Sequence, residues 1–199
     1  MEKEYIANYK KWNFIVPAVC FLVLSYFVVT NQIAFIDQAV YDVIAGFINP
    51  VMTNIMIAVT YIGTAWVMIP ISILLLCYQY HQKGYRFFLN LAFIWSLNEG
   101  VKLFFTRERP NILRLVSVTG YSYPSGHSMV SFAFYGFLIL TLLRSDYKYK
   151  KVLSIFLSFI IVLIGISRIY LGVHYFSDVV GGFLFSYSYL LLLKNISSK

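Results

Sequence analysis

Charge is scarce in this 199-residue sequence: 12% of its residues are Asp, Glu, Lys or Arg, and only eight are acidic. Soluble domains carry about twice that fraction, so a water-facing globule is excluded. Cysteine is nearly absent as well. Cys20 and Cys77 are the only two. Both lie inside apolar runs without metal-type spacing, which predicts inert packed thiols and excludes a disulfide framework. Linkers, low-complexity tracts and internal repeats are missing, so residues 1–199 read as one domain.

What fills the space is apolar: 60% of the residues are hydrophobic, too many for a compact core of this size. They cluster into runs near the ~20 residues needed to cross a bilayer as a helix. The predicted fold is an all-α membrane bundle with six spans: 13–30, 52–79, 86–105, 127–143, 151–167 and 174–193. No small-residue cleavage site follows the first run at Val28 to Asn31, so an uncleaved first span is expected. Pro70 sits within the second span, where it can kink the helix. The fourth and fifth spans are short and predict little tilt.

Between Ile33 and Ile48, apolar residues recur at helical spacing, while Asp37, Gln38 and Asp42 fall on another face. This predicts an amphipathic helix in the membrane interface, or a connecting loop with some helix.

Basic residues orient the bundle. Lys3, Lys10, Lys11, Lys83, Arg86, Arg144, Lys148, Lys150, Lys151, Lys194 and Lys199 fall on the side that holds both termini. Lys102, Arg107, Arg109, Arg114 and Arg168 fall on the other. Both termini are therefore expected in the cytoplasm, and the formal charge of +8 reflects topology rather than nucleic-acid binding.

The five exceptions lie beside other reactive residues. The three motifs are Lys102-x6-Arg109-Pro110, Pro124-Ser125-Gly126-His127 and Ser167-Arg168-x5-His174-x3-Asp178. Topology brings all three to one outer face. Arg presents a planar fork of donors that matches phosphate, and Lys a compact charge. Ser125 can cap the following helix, Gly126 allows close backbone approach, and a helix N-terminus favours anions. On a helix, His174 and Asp178 share a face. A carboxylate on one imidazole nitrogen leaves the other free to attack. His127 is then placed to protonate the leaving oxygen. With Lys102, Arg109 and Arg168 neutralising the phosphoryl oxygens, this chemistry needs no metal or other cofactor.

Singly, these residues have blander readings: a snorkelling anchor, a turn, a packed histidine, a structural hydrogen bond. Together they fix eleven identities, at odds on the order of 10⁻¹⁴ per placement if each residue type is used at about 5%.

At these residues the sequence resembles the type 2 phosphatidic acid phosphatase superfamily, with no substitution at a signature position. Within it, the short six-span form is similar to the bacterial phosphatidylglycerophosphatase B type. The resemblance implies a phosphohistidine at His174 supported by Asp178, His127 as general acid, and phosphate binding by Lys102, Arg109, Ser125, Gly126 and Arg168. It implies a lipid phosphate substrate: phosphatidylglycerophosphate first, then undecaprenyl diphosphate, phosphatidic acid and lysophosphatidic acid. The soluble vanadate-binding branch of the family does not fit the apolar spans.

Arg107, Glu108 and Arg114 lie outside the signatures and are expected to be solvated or to touch lipid headgroups. Glu99 is expected to pair with Lys102, and Gly181-Gly182 to allow close helix packing. A transporter would call for discontinuous helices and inverted repeats near the midplane, and neither is visible. Binding of anionic lipid by Lys148 to Lys151 is compatible with an enzyme. Oligomeric state is left open.

Overall fold

The computed structural model describes residues 12–78 and 85–196. Among them the chain is all helix and connection, with eight helices: α1 Ile15–Val29, α2 Ala34–Ala45, α3 Pro50–Ile62, α4 Ala65–Tyr78, α5 Tyr85–Phe105, α6 Gly126–Arg144, α7 Lys150–Tyr170 and α8 Phe176–Ile196. Lys3, Lys10, Lys11, Lys83 and Lys199, all assigned to the cytoplasmic side, and the last residue of the 52–79 span lie outside the described residues.

Helix α6 is central, packed against α5, α7 and α8, while α1 lies on α8 and α3 on α7. The main core joins Met68 of α4, Ile94 of α5, Met129, Ala133 and Phe134 of α6, and Ile164 of α7, each fully buried. A second cluster sets Tyr123 among Phe21, Phe105 and Phe185. The Tyr123 hydroxyl meets Ser25 of α1 at 2.8 Å, so the loop before α6 is moored to the first helix. Gly181 makes room for that ring, since a Cβ there would sit 2.7 Å from it. Gly182 similarly faces the backbone of Ser125 and Met129. Both glycines serve packing, as expected.

Three helices, α6, α7 and α8, are each long and apolar enough to cross a membrane. They run 19, 21 and 21 residues. At 1.5 Å per residue the last two span about 32 Å, so α7 is not the short crossing expected: it continues past Ser167 to Tyr170. Two further pairs pass the same test but are bent. The pair α1 and α2 turns by 92°, and α3 and α4 by 40°. The second bend falls at Gly63-Thr64, not at Pro70, which sits inside α4. Cys20 and Cys77 are free, and both are exposed rather than packed.

Helix α2 differs from expectation at one residue. Gln38 and Asp42 are exposed and bonded to each other, but Asp37 is buried. A buried carboxylate needs charged or polar partners. Asp37 finds them on the α5–α6 loop and at the start of α8.

Candidate active site

Two loops at one end of the bundle build the site: residues 106–125 between α5 and α6, and 171–175 between α7 and α8. Gly172 shapes the second. Its φ of +70° is left-handed, and a Cβ there would lie 2.1 Å from the Leu113 carbonyl oxygen. Only glycine fits both demands. The turn ends α7, lets Leu115 donate to the Leu171 carbonyl at 3.0 Å, and delivers His174 just before α8.

His174 therefore precedes the helix instead of sharing a helical face with Asp178. The pair meets all the same, with Nδ1 3.3 Å from Oδ2. Asp178 stands three residues into the turn that opens α8, and Oδ2 also accepts from the Tyr175 backbone N–H at 2.9 Å. This reach-back is the geometry of a capping box. The Ser122 hydroxyl donates to the same oxygen. On the far side of the imidazole, Arg109 Nη1 is 3.2 Å from Nε2. Arginine can only donate, so Nε2 is the acceptor and the ring proton is on Nδ1, facing Asp178. Burial pushes the imidazole down to about 4, against the opposing pull of Asp178. The ring is neutral at pH 7, with its lone pair on Nε2.

Arg109 is fixed by three carbonyls: Nε donates to Gly120 at 2.8 Å, Nη2 to Thr119 at 2.9 Å and Nη1 to Val173 at 2.8 Å. Burial lowers its pKa from the ordinary arginine value. Arg168 of α7 is buried and donates from Nη1 to Thr60 of α3 at 2.7 Å, while its buried Nε has no partner among the described residues. An N–H of this kind is costly unless a ligand accepts it. Lys102, in the last turn of α5, pairs with Glu99 at 3.1 Å as expected. Gly126 opens α6 beside it: a Cβ there would be 2.9 Å from Asn98 Oδ1 and 3.3 Å from Lys102 Nζ. Ser125 caps α6, accepting from the Ser128 N–H. His127, second residue of α6, has Arg168, Lys102 and Arg109 as its charged neighbours, with His174 close by. All eight site residues expected from the motifs thus gather at this end of the bundle.

Several residues escaped the sequence reading. Arg107 is not solvated; its side chain is 14% exposed and bridges two carboxylates, Nη1 to Asp178 Oδ1 at 2.6 Å and Nη2 to Asp37 Oδ2 at 2.9 Å. The two carboxylates outweigh its burial and hold its pKa above the ordinary value. Its burial has a clear cause, because two anions were within reach. Glu108 and Arg114 are exposed, as expected. Ser122 and Thr60 carry no sequence signal, being single hydroxyls outside the three motifs. Arg107 had a faint one: a basic residue two positions before Arg109 on an outer loop, with too few nearby acids to hold it.

A cavity of about 560 Å³ opens from the site. Asn98, Glu99, Lys102 and His127 line its polar end; Ile69, Phe88, Leu91 and Trp95 are among the apolar residues that line the rest. It follows α5 from Lys102 back to Phe88, fourteen residues or roughly 21 Å of helix.

Known proteins share this fold and resemble this sequence. The family model described as the PAP2 superfamily matches residues 83–199. Phosphatidylglycerophosphatase B of Bacillus subtilis is 30% identical over 186 residues, 90% of this chain and 92% of the relative. An undecaprenyl-diphosphatase of Sulfolobus acidocaldarius is 30% identical over 140 residues, 67% of this chain and 65% of the relative. Among solved structures, the transmembrane PAP2-type phosphatidylglycerolphosphate phosphatase from Bacillus subtilis superposes with a TM-score of 0.84 at 28% identity, covering 94% of this chain and 96% of that one. Aquifex aeolicus LpxE has the same fold, with a TM-score of 0.64 at 24% identity over 80% of this chain and 94% of its own. With the family model spanning more than half of its length and a relative aligned along nine-tenths of it, the chain belongs to the PAP2 superfamily.

Proposed function

We propose that the protein is a metal-independent lipid phosphatase acting through a phosphohistidine at His174. The observation that carries this reading is the His174 imidazole held between Asp178 on Nδ1 and Arg109 on Nε2, which leaves Nε2 as the acceptor nitrogen. In the first step Nε2 attacks phosphorus and the bond to the lipid oxygen breaks. Arg109 moves its N–H from Nε2 to a phosphoryl oxygen, joined by Arg168 Nε and Lys102 Nζ. Asp178 stabilises the cationic ring that forms. His127 gives its proton to the leaving alkoxide. In the second step His127 takes a proton from water, the hydroxyl attacks phosphorus, and the bond to His174 breaks to release inorganic phosphate. The N-terminus of α6, with Ser125 and Gly126, adds backbone dipoles to the anion site.

The cavity supports a substrate with a hydrocarbon tail, since Ile69, Phe88, Leu91 and Trp95 line it away from the polar residues around Lys102 and His127. Phosphatidylglycerophosphate is the leading substrate, on the strength of the relative aligned along most of its length. Undecaprenyl diphosphate is second, because a further relative acts on it. Six crossings are proposed: α1, the bent α3–α4 pair, α5, α6, α7 and α8, with α2 turned by 92° into the interface. Both termini are then cytoplasmic and the site extracytoplasmic.

Purified protein in detergent with EDTA tests this reading. Phosphate release from at least one of these lipids, lost in His174→Ala, is expected. No release from any of them, or full activity in the variant, refutes it. With His127→Ala, phosphoenzyme formation should slow most for poor leaving groups; equal slowing for all substrates counts against the acid role.

A further inference from the structure

The cluster around Arg107 is not used by the mechanism above, yet it touches the catalytic carboxylate directly. Asp178 has two oxygens with different tasks. Oδ2 faces His174, Ser122 and the Tyr175 N–H. Oδ1 is held by Arg107 Nη1 at 2.6 Å. Since Asp178 lies on the first turn of α8, only rotation about its side-chain bonds decides whether Oδ2 meets the imidazole. The grip on Oδ1 sets that rotation.

Arg107 is itself held from α2. Its Nη2 donates to Asp37 Oδ2 at 2.9 Å, its Nη1 also reaches Ser177 Oγ at 2.8 Å, and its guanidinium lies 4.0 Å from the centre of the Tyr175 ring. Asp37 holds the opening turn of α8 as well. Its Oδ1 accepts the Ser177 backbone N–H at 2.7 Å, and its Oδ2 accepts the Ser177 hydroxyl at 2.7 Å. That N–H is one of the unpaired donors of a helix start. One carboxylate from another helix thus fixes both the residue that grips Asp178 and the backbone that carries it. Asp37 and Asp178 are both buried, so water does not loosen the arrangement.

We propose that Asp37 is a positioning residue for the catalytic pair: through Arg107 and Ser177 it keeps Asp178 Oδ2 aligned on His174 Nδ1. The inference rests on His174 as nucleophile. Asp37 contacts none of Lys102, Arg109 or Arg168, so its loss disturbs the chemical step and not phosphate binding. Hydrogen-bond partners that orient metal-ligating residues are worth about 10–100-fold in activity, and an effect of that order is expected for Asp37.

The test compares Asp37→Asn, Arg107→Lys and Ser177→Ala with the wild type in detergent. Two readouts are used: steady-state phosphate release, and the proton resonance of His174 Nδ1–H, identified by its loss in His174→Gln. Asp37→Asn should lower kcat about 30-fold while KM and the inhibition constant of inorganic phosphate stay within about twofold. Arg107→Lys keeps the charge but not the fork, and should behave alike. Ser177→Ala removes one hydroxyl from the cluster and should lower kcat about threefold, which carries the test if the charged-site variants do not fold. The Nδ1–H resonance should shift or broaden in all three. Unchanged kcat or an unmoved resonance in the folded variants overturns the proposal, as does a KM that rises in step with the fall in kcat. If the wild type releases no phosphate from any lipid, the proposed function fails on its own, and the resonance still decides the role of Asp37.

Discussion

Arg109 Nη1 lies 3.2 Å from His174 Nε2, the atom assigned to attack phosphorus. The same nitrogen also donates to the Val173 carbonyl at 2.8 Å. A donor that only needs to change acceptor can cap the lone pair before substrate binds and then move to a phosphoryl oxygen. Lysine cannot replace it, because Arg109 uses all three guanidinium nitrogens. Arg109→Lys should therefore lower kcat/KM by about 10²-fold or more, the cost of losing an oriented donor at a developing charge. Steady-state phosphate release checks this.

The pH dependence follows from the buried imidazole. His174 titrates at about 4 in the folded protein, against an ordinary value of 6.5. Protonation is then easier in the unfolded chain, so acid favours unfolding. Above about pH 6.5 the group contributes no pH dependence, because it is neutral in both states. Between 6.5 and 4 the thermal midpoint should fall, then level off below 4 so far as this group is concerned. His174→Gln should flatten that part of the curve. A ¹⁵N titration of the ring in detergent should show its midpoint near 4.

Two glycines predict opposite phenotypes. At Gly126 an added methyl would crowd Asn98 Oδ1 and Lys102 Nζ, both side-chain tips. Gly126→Ala should fold normally and raise KM by about tenfold, because the cation is pushed from the phosphate site. At Gly172 the methyl would meet the backbone of Leu113 in a left-handed conformation. Gly172→Ala should cost about 2 kcal/mol or more and lower the thermal midpoint by about 5 °C.

Thr60 offers a further test. It is buried on α3 and accepts the Arg168 Nη1–H at 2.7 Å. Thr60→Val is close in shape but leaves that donor without an acceptor, at a cost of about 1–3 kcal/mol. Stability should fall by that amount. The phosphate inhibition constant should rise as well, because Arg168 is no longer aimed at the ligand. Denaturation in detergent and inhibition by inorganic phosphate measure the two effects.

Local pattern determined much of this protein by itself. Apolar runs marked α6 and α8 to within a few residues, since a helix that can cross lipid must be continuous and apolar, and the predicted 86–105 run matches α5 as a helix. The motifs of the candidate site were also legible, because phosphate chemistry of the proposed kind restricts residue type and spacing severely. That is how His174, Asp178, His127 and the three cations could be named from the chain alone. Orientation inside the bundle was less legible. Asp37 read as one of three polar residues on an amphipathic helix, and Arg107 as a headgroup contact.

Only the tertiary structure decided that Asp37 and Arg107, 70 positions apart, form one buried pair against Asp178. The physical reason is that a charge is placed by the partner that compensates it, and such partners come from any helix. The same holds for Thr60 beneath Arg168, 108 positions away. Residue chemistry along the chain identified what can react. The packing of α2, α3 and α8 around the two loops decided how those residues are held.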